Sequence, residues 1–395
     1  NIRDVRALSP VAGRHPLPLV LGRLNSRRGR LRLHGDYVAG AHSGSARHPA
    51  DRHPRSECGN AGRYDWPVTP DFLDIRKHGY VRVAVCVPGG RVANPAYNAR
   101  AHRTALREAY DRGAAYALCP ELGLSGYSAN DLFFQAPLLH SCEEALAELL
   151  EATRNWSMVV SVGMPLAVEG SLYNCAVTFS RGRLLAVAPK SYPPNYREFY
   201  ELRWFQPAAN ARATEHRLLG QTVPFGTDIL IDVPGDPGFT LHTDVCEDIW
   251  VPVPPGTIAA LSGATVLANL SASNVTVAKA DYRRELVDMS SAKNIAVQMY
   301  SAAGFGESTS DLAWDGHGMI ADRGELVAET RRFDRDGDVA LADVDIFALQ
   351  SDRMRMTSWG QNAAAFARPM RRVRVEAAGD ERPPDPFATM LRDVS

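Results

Sequence analysis

The stretch Leu241-His-Thr-Asp-Val-Cys246-Glu-Asp-Ile-Trp250 is the most informative part of the sequence, because a short apolar run delivers a thiol directly into an acidic turn. The alternation before the cysteine predicts a β-strand that ends there. Cysteine is among the most buried residue types and usually behaves as a small hydrophobe, so a thiol alone does not indicate a reaction. A strand end that runs into a polar turn is nevertheless where a nucleophile would meet substrate.

Two earlier apolar runs end in a similar way, each with a proline followed by a charged residue. Ala115-Tyr-Ala-Leu-Cys-Pro-Glu121 ends at a carboxylate, and Leu184-Leu-Ala-Val-Ala-Pro-Lys190 ends at an ammonium group. A single charged residue at a strand end is usually a solvated terminus, since Glu and Lys are almost never fully buried unless they are paired. The repetition favours a set of three reactive side chains, Glu121, Lys190 and Cys246.

The segments around these residues carry a family resemblance. They are Glu121-Leu-Gly-Leu-Ser-Gly-Tyr127, Lys190-Ser-Tyr-Pro-Pro-Asn-Tyr196-Arg-Glu-Phe-Tyr-Glu201, Ala268-Asn-Leu-Ser-Ala-Ser273 and Tyr300-Ser-Ala-Ala-Gly-Phe-Gly-Glu-Ser-Thr-Ser-Asp-Leu-Ala-Trp-Asp315. Over roughly residues 71–347 the chain resembles the nitrilase-like carbon–nitrogen hydrolases, and most closely the glutaminase part of bacterial glutamine-dependent NAD synthetases. The resemblance implies an α-β-β-α sandwich, in which two packed mixed sheets have helices outside.

The resemblance also implies a role for each of the three residues. Cys246 attacks the side-chain amide of L-glutamine and forms a thioester, Glu121 acts as general base, and Lys190 stabilises the oxyanion. The residue types suit this chemistry, because a free cysteine has a pKa of about 8.5 and needs a base or a cation to react at neutral pH. Ammonia would leave first, and hydrolysis of the thioester would then release glutamate.

Further site residues are assigned through the resemblance. Glu201 is a second carboxylate that helps to orient Lys190. The predicted glutamine pocket is lined by Tyr127, Tyr196, Glu247, Trp250, Ser273 and Lys279. Glu247 would meet the α-ammonium group, and Lys279 would meet the α-carboxylate at a position where the family carries arginine. Arginine binds a carboxylate as a bidentate fork and lysine as a point charge, so we expect weaker binding or selectivity for glutamine.

Three other readings of the sequence remain open. A cysteine protease would use a histidine as base, and period-two alternation places His242 on the same strand face as Cys246. A free-standing amidase of the same superfamily would act on another small amide. A non-catalytic assembly module would not need Glu121, Lys190 and Cys246 together.

The hydrophobic pattern by itself predicts an α/β fold. Residues 80–86 predict a strand, residues 98–112 a helix, and an apolar stripe between Cys142 and Leu150 a second helix. Residues 156–163, 173–180 and 184–189 predict short strands arranged as hairpins. Residues 264–270, 279–293 and 295–301 predict a strand, a helix and a strand.

Composition divides the chain into three predicted regions. Residues 1–66, rich in Arg, His, Gly and Pro and without any Lys, predict a disordered extension. Residues 67–350 predict the nitrilase-like glutaminase domain, and the polar residues 351–395 predict a linker towards an ATP-dependent synthetase domain. The Ser-Gly-Gly-x-Asp-Ser phosphate loop of that domain does not occur in this sequence. The glutaminase step is therefore expected to need no cofactor or metal, whereas the synthetase domain would need ATP and magnesium.

Charge and cysteine content bear on partners and location. The sequence has 44 basic and 45 acidic residues, which gives no electrostatic case for nucleic acid or an anionic membrane as a partner. Its 6 cysteines form no C-x-x-C pair, as expected of reduced thiols in a cytoplasmic protein. The expected partners are L-glutamine and a NAD synthetase domain or subunit, and the resemblance implies a homo-oligomer.

Overall fold

Two large β-sheets dominate the computed structural model, which describes residues 74–376. The predicted extension, residues 1–66, and residues 377–395 of the predicted linker lie outside the described residues. No described helix is both long and apolar enough to cross a membrane.

The strands, in chain order, are β1 Tyr80–Pro88, β2 Tyr116–Leu118, β3 Val159–Val168, β4 Ser171–Ser180, β5 Arg183–Pro189, β6 Glu215–Leu218, β7 Gln221–Pro224, β8 Ile229–Val233, β9 Phe239–Val245, β10 Val266–Ser271, β11 Val297–Ala302, β12 Gly318–Asp322, β13 Glu325–Glu329, β14 Gly337–Asp345 and β15 Arg371–Arg374. The α-helices are α1 Pro95–Asp111, α2 Ala136–Ala152, α3 Pro255–Leu261, α4 Lys279–Asn294, α5 Ile346–Arg355 and α6 Thr357–Phe366.

Each large sheet contains parallel strands at its centre. The first sheet has the order β14-β1-β2-β3-β4-β5, with β1, β2 and β3 parallel. The second has the order β13-β12-β11-β10-β9-β8-β15, with β9, β10 and β11 parallel. Strands β6 and β7 form a separate two-stranded sheet. The carboxyl ends of neighbouring parallel strands lie at one edge of a sheet, so loops that follow β9, β10 and β11 are brought together.

The sheets pack face to face with helices on both outer faces. Alternate residues of β1, including Val83 and Val85, share one apolar core with Leu241 and Val266 of the second sheet. Helices α1 and α2 pack in a second core on the outside of the first sheet. Helices α3 and α4 cover the outside of the second sheet. The predicted α/β class and the α-β-β-α order of layers are confirmed.

The prediction that residues 351–395 are a linker is wrong for residues 351–376. These residues complete α5, form α6 and add β15 to the second sheet beside β8. Arg353 donates to the carbonyls of Ala264, Asn294 and Ile295, and stacks against Trp359 with 4.5 Å between guanidinium carbon and ring centroid. The sequence pattern missed this docking because the apolar contacts of the segment, at Trp359, Met370 and Val375, are too widely spaced to form a stripe. The hydrogen bonds of Arg353 add to them.

Candidate active site

The three predicted reactive residues come from both sheets. Glu121 follows β2 and Lys190 follows β5 on the first sheet, whereas Cys246 follows β9 on the second. The Glu121 N–H donates to the carbonyl of Ser271 at 3.2 Å, which ties the two sheets together at this point. Gly163 on β3 allows the Glu121 loop to lie close, because a Cβ there would overlap the backbone of this loop.

A buried ion-pair cluster surrounds Lys190. Its Nζ donates to Glu121 Oε1 at 2.7 Å and to Glu201 Oε1 and Oε2 at 2.7 and 2.9 Å. Lys190 and Glu121 are each 0% exposed, and Glu201 is 1% exposed. Tyr127 Oη donates to Glu201 Oε1 at 2.8 Å. The structure therefore brings four of the predicted site residues into direct contact: Glu121, Lys190, Glu201 and Tyr127.

The two oxygens of Glu121 have different surroundings. Oε1 accepts from Lys190 and also from Asn174 Nδ2 at 2.6 Å. Oε2 is buried and has no hydrogen-bond partner among the described residues. Buried carboxylate oxygens are normally satisfied, so the free atom is the one available to take a proton. This arrangement suits a general base, because hydrogen bonds to Oε1 fix the orientation of the carboxylate and Oε2 can accept the proton.

The surrounding charges keep Lys190 protonated and positively charged, and burial keeps the Cys246 thiol protonated. Burial alone would lower the pKa of Lys190, but the carboxylates of Glu121 and Glu201 outweigh it and raise that pKa well above its usual value. Burial raises the pKa of Glu201 to about 7 despite the attraction of Lys190. Burial, reinforced by the Glu121 carboxylate, raises the pKa of the Cys246 thiol, and Lys190 opposes this. Cys246 is therefore a protonated thiol, which would need a base in order to act as a nucleophile.

Cys246 occupies a backbone conformation that is unusual for a residue with a side chain. Its φ is 47°, in the left-handed region, at the start of the 3-10 turn Cys246–Ile249. Such strain persists when surrounding contacts over-determine the turn, and it clusters at functional sites. The backbone N–H of Ala272, after β10, hydrogen-bonds to the cysteine and acts to lower the pKa of its thiol.

The predicted substrate residues make two sets of contacts. Tyr196 Oη donates to Glu247 Oε1 at 2.8 Å. Lys279 Nζ lies 5.7 Å from the ring centroids of Trp250 and Phe199, and bonds to Asn274 Oδ1. Burial lowers the pKa of Lys279, and Cys246 opposes that shift.

Ser273 and Tyr127 complete the predicted set. Ser273, two residues after the end of β10, is 3% exposed, and its carbonyl accepts from Arg283. Tyr127 lines a narrow cleft together with Phe199 and Trp314. Its hydroxyl connects this cleft to the ion-pair cluster through Glu201.

Sequence reasoning missed four polar residues that support the site. They are Asn174, Asp248, Asn269 and Glu307. Asn269 donates to Asp244 at 2.7 Å and to the Cys246 carbonyl at 3.3 Å. Glu307 accepts from the N–H groups of Tyr127 and Ser128 at 2.7 and 2.9 Å. A polar residue inside an otherwise apolar strand, as at Asn174 and Asn269, is the signal that could have identified two of them.

His242 does not form the alternative cysteine–histidine pair. Its Nδ1 lies 3.2 Å from the carbonyl of Ile229 on β8, and its other ring nitrogen has no hydrogen-bond partner among residues 74–376. Burial lowers the pKa of His242 to about 4, so the ring is neutral at pH 7. Within residues 74–376, no group of His, Cys, Asp and Glu is arranged to hold a metal ion.

Comparison with known proteins agrees with this geometry. Residues 82–354 match the carbon–nitrogen hydrolase family. The chain is 46% identical over 292 residues to the glutamine-dependent NAD(+) synthetase of Mycobacterium tuberculosis, covering 74% of this chain and 43% of the relative. The Mycobacterium leprae relative of the same name is 41% identical over 330 residues, covering 82% and 47%. The chain thus spans less than half the length of these relatives.

Solved structures show the same fold. A glutamine-dependent NAD(+) synthetase from Cytophaga hutchinsonii has a TM-score of 0.58 at 24% identity, covering 67% of this chain and 43% of that one. A mutant of the Nesterenkonia AN1 amidase from the nitrilase superfamily has a TM-score of 0.54 at 18% identity, covering 70% and 96%. The predicted nitrilase-like sandwich is confirmed, and the match over residues 82–354 means that the chain belongs to the carbon–nitrogen hydrolase family.

Proposed function

We propose that this carbon–nitrogen hydrolase cleaves the side-chain amide of L-glutamine through a thioester on Cys246. The observation that carries the proposal is the buried cluster in which Lys190 and Asn174 hold one oxygen of Glu121 and leave the other free. The names of the mycobacterial relatives support glutamine as the substrate. The ammonia would serve NAD synthesis from deamido-NAD by a synthetase domain that lies outside this chain.

The first half of the reaction forms the thioester. Cys246 Sγ attacks the amide carbon while its proton passes to Glu121 Oε2, and the carbonyl oxygen becomes an oxyanion. Lys190 provides positive charge for that oxyanion, and a preorganised donor of this kind contributes about 3–4 kcal/mol. Glu121 then returns the proton to the departing nitrogen, so ammonia leaves and the glutamyl thioester remains.

The second half regenerates the enzyme. A water molecule takes the place of ammonia, and Glu121 Oε2 removes its proton as the oxygen attacks the thioester carbon. The carbon–sulfur bond breaks, the proton returns to Cys246, and glutamate is released. The same carboxylate therefore acts in turn as base, acid, base and acid, which general acid–base catalysis permits when its position stays fixed.

Recognition of free glutamine requires that each of its two charged groups be bound by a side chain of opposite charge. Glu247, oriented by Tyr196, would bind the α-ammonium group, and Lys279 would bind the α-carboxylate. Lys279 lies between two aromatic rings, which restricts where its ammonium group can point. Ser273 and Trp250 would form the remaining walls of the pocket.

The relatives' names also suggest a partner. Because the chain covers 43% to 47% of the length of the mycobacterial relatives, the synthetase activity in their name would reside in a part that it does not match. We infer that this chain supplies ammonia to a synthetase domain or subunit, which would itself need ATP and magnesium. A cytoplasmic homo-oligomer remains the expectation from the sequence.

The test is glutamate release from L-glutamine by the purified chain, by Cys246→Ala and by Cys142→Ala, which removes a buried thiol from α2. We expect Cys246→Ala to lose about 10⁴-fold or more in turnover, as nucleophile removal does elsewhere, and Cys142→Ala to retain it. Mass spectrometry after reaction with a glutamine-like electrophile should place the adduct on Cys246. Turnover of small amides but not of glutamine would favour a free-standing amidase, and neither turnover nor adduct would favour an assembly module.

A further inference from the structure

The carboxylate of Asp248 makes a set of backbone hydrogen bonds that the proposed chemistry does not explain. Asp248 is 1% exposed, and it lies in the 3-10 turn that begins at Cys246. Oδ1 accepts from the N–H groups of Ser191 at 3.1 Å and Tyr192 at 2.9 Å. Oδ2 accepts from the same Ser191 N–H and from the Val245 N–H, both at 3.1 Å.

These donors belong to different sheets. Ser191 and Tyr192 directly follow Lys190 at the end of β5, in the first sheet. Val245 directly precedes Cys246 at the end of β9, in the second sheet. One buried carboxylate therefore joins the residue before the nucleophile to the residues after the lysine. The four bonds have the lengths of ordinary N–H···O hydrogen bonds, 2.9–3.1 Å, and all four converge on this one carboxylate.

The same carboxylate closes the turn around the strained cysteine. The bond from Val245 N–H to Asp248 Oδ2 spans Cys246, whose φ of 47° is unfavourable for a residue with a Cβ. Left-handed conformations of residues other than glycine cost on the order of 1–3 kcal/mol and need support from their surroundings. Asp248 provides that support, and Asn269 adds to it by donating to the Cys246 carbonyl at 3.3 Å.

Burying a carboxylate in this turn costs free energy of desolvation. A turn with only a structural role could avoid that cost with an uncharged side chain. Burial, followed by the neighbouring Asp244, raises the pKa of Asp248 from 3.8 to about 7, while Lys190 and the backbone N–H groups act against this. A buried, fully hydrogen-bonded polar group can offset its desolvation cost by specifying one packing arrangement over the alternatives. The arrangement fixed here is the one between the nucleophile turn and the lysine.

We propose that Asp248 is a positioning residue that sets the separation and orientation of Cys246 Sγ relative to Lys190 Nζ. It acts through the backbone of both residues and does not touch the substrate. The turnover arm of its test rests on the proposed glutaminase function, but the arm that measures thiol reactivity does not.

Asp248→Asn is the sharpest variant because it keeps the shape of the side chain. If the remaining oxygen accepts from Ser191 and Tyr192, the new NH₂ group faces the Val245 N–H, and two donors then oppose each other. The charge is also lost. We expect the rate of Cys246 alkylation by iodoacetamide, followed by mass spectrometry, to fall about tenfold or more, and kcat for glutamine to fall roughly 10- to 100-fold, because small displacements of reacting groups have effects of that size. KM should change less than about threefold, since no substrate contact is removed.

The matched control is Asp322→Asn. Asp322 is another largely buried carboxylate, 8% exposed, that accepts a backbone N–H, from Asp345 at 3.3 Å. It pairs with Val297 at the start of β11, whereas the Cys246 turn lies at the carboxyl ends of the parallel strands. We expect Asp322→Asn to lower the free energy of unfolding without changing the alkylation rate or kcat beyond about twofold, as for sites that share no partners.

The outcomes are decisive in both directions. If Asp248→Asn folds and keeps both wild-type rates within twofold, the proposal is overturned, whatever the change in its stability. If Asp248→Asn does not fold, Asp248→Glu keeps the charge on a longer arm; lowered alkylation and kcat in that variant support the proposal, and wild-type rates overturn it. If alkylation falls in the variant while the wild-type chain hydrolyses no glutamine, positioning stands and the proposed substrate fails.

Discussion

The two sheets contribute differently to the candidate site. The first sheet contributes side chains that are joined by ion pairs, whereas the second contributes one neutral thiol whose position depends on the backbone of its turn. Lys190 is held between Glu121 and Glu201 at 2.7 Å from each, in a cluster closed to solvent. Cys246 has a protonated thiol on a left-handed turn. The first sheet thus contributes a closed set of ion pairs, and the second contributes a thiol that would have to lose its proton before it could attack. The two halves of the candidate site therefore depend on different interactions, ion pairs on the first sheet and backbone geometry on the second.

The strongest way to break this contrast is Lys190→Met, which removes the positive charge from the first sheet. Two buried carboxylates would then face each other without a cation, and breaking a buried ion pair in this way costs about 3–5 kcal/mol of unfolding free energy. We also expect turnover to fall by about 10²–10³-fold from loss of oxyanion stabilisation.

Urea denaturation and glutamate release measure these two effects. Lys293→Met, at an exposed position near the end of α4, is the control and should stay within about 0.5 kcal/mol of wild type. Wild-type turnover in Lys190→Met would contradict the assignment of Lys190.

A second prediction concerns the pH dependence contributed by Glu201. Its pKa is raised to about 7, above the ordinary 4.5, so its contribution to stability is full below about pH 4.5 and is lost as pH rises through about 7. The difference between these two pKa values corresponds to at most about 3 kcal/mol of unfolding free energy. Glu201→Gln does not titrate, so it should remove this falling component, and an amide NH₂ facing Lys190 should lower turnover roughly 10- to 100-fold.

Unfolding free energies at several pH values between 4.5 and 8 check the prediction. The difference between Glu201→Gln and wild type isolates this group from the others that titrate. A difference that is independent of pH would show that Glu201 is ionised throughout. Glu144→Gln, at an exposed position on α2, serves as the matched control.

A third prediction tests the lysine on the substrate side. Lys279→Arg should improve binding of the α-carboxylate, because a guanidinium offers two parallel donors. We expect KM for glutamine to fall by about fivefold, equivalent to about 1 kcal/mol, with kcat nearly unchanged. Steady-state kinetics with glutamine and with propionamide, which has no α-carboxylate, separate this effect from a general change. An equal shift for both amides would remove Lys279 from the carboxylate site.

The smallest effect on turnover is expected for His242→Asn. The asparagine amide can keep a donor near the Ile229 carbonyl, so activity at pH 7.5 should stay within about twofold, in contrast to the loss expected of a catalytic base. The pKa of His242 is lowered to about 4 from the ordinary 6.5, so its stabilisation is present above about pH 6.5 and is lost as pH falls through about 4.

The variant should therefore lose less stability on acidification, by at most about 3 kcal/mol. His140→Asn, at an exposed position on α2, is the control. A large loss of turnover in His242→Asn would restore the cysteine–histidine alternative.

The sequence predicted the meeting of Glu121, Lys190 and Cys246 because each ends an apolar run, and strand ends at one rim of a sandwich are brought together. Only the family resemblance separated Glu247 from Asp248, since two neighbouring carboxylates look alike in a sequence until the turn leaves one partly exposed and buries the other. Hydrophobic periodicity could not identify Asn174 as the residue that orients Glu121. That assignment depends on pairing between strands.

The docking of residues 351–376 bears on how the chain can be cut. A fragment that ends at residue 350, where the sequence suggested a boundary, would leave the carbonyls of Ala264, Asn294 and Ile295 without the Arg353 guanidinium. It would also strip Trp359 and Met370 from the apolar cluster beneath α3. Each buried carbonyl left unpaired costs about 1–3 kcal/mol, a large share of the stability of a typical domain. Expression fragments and protease-resistant cores should therefore extend at least to residue 376.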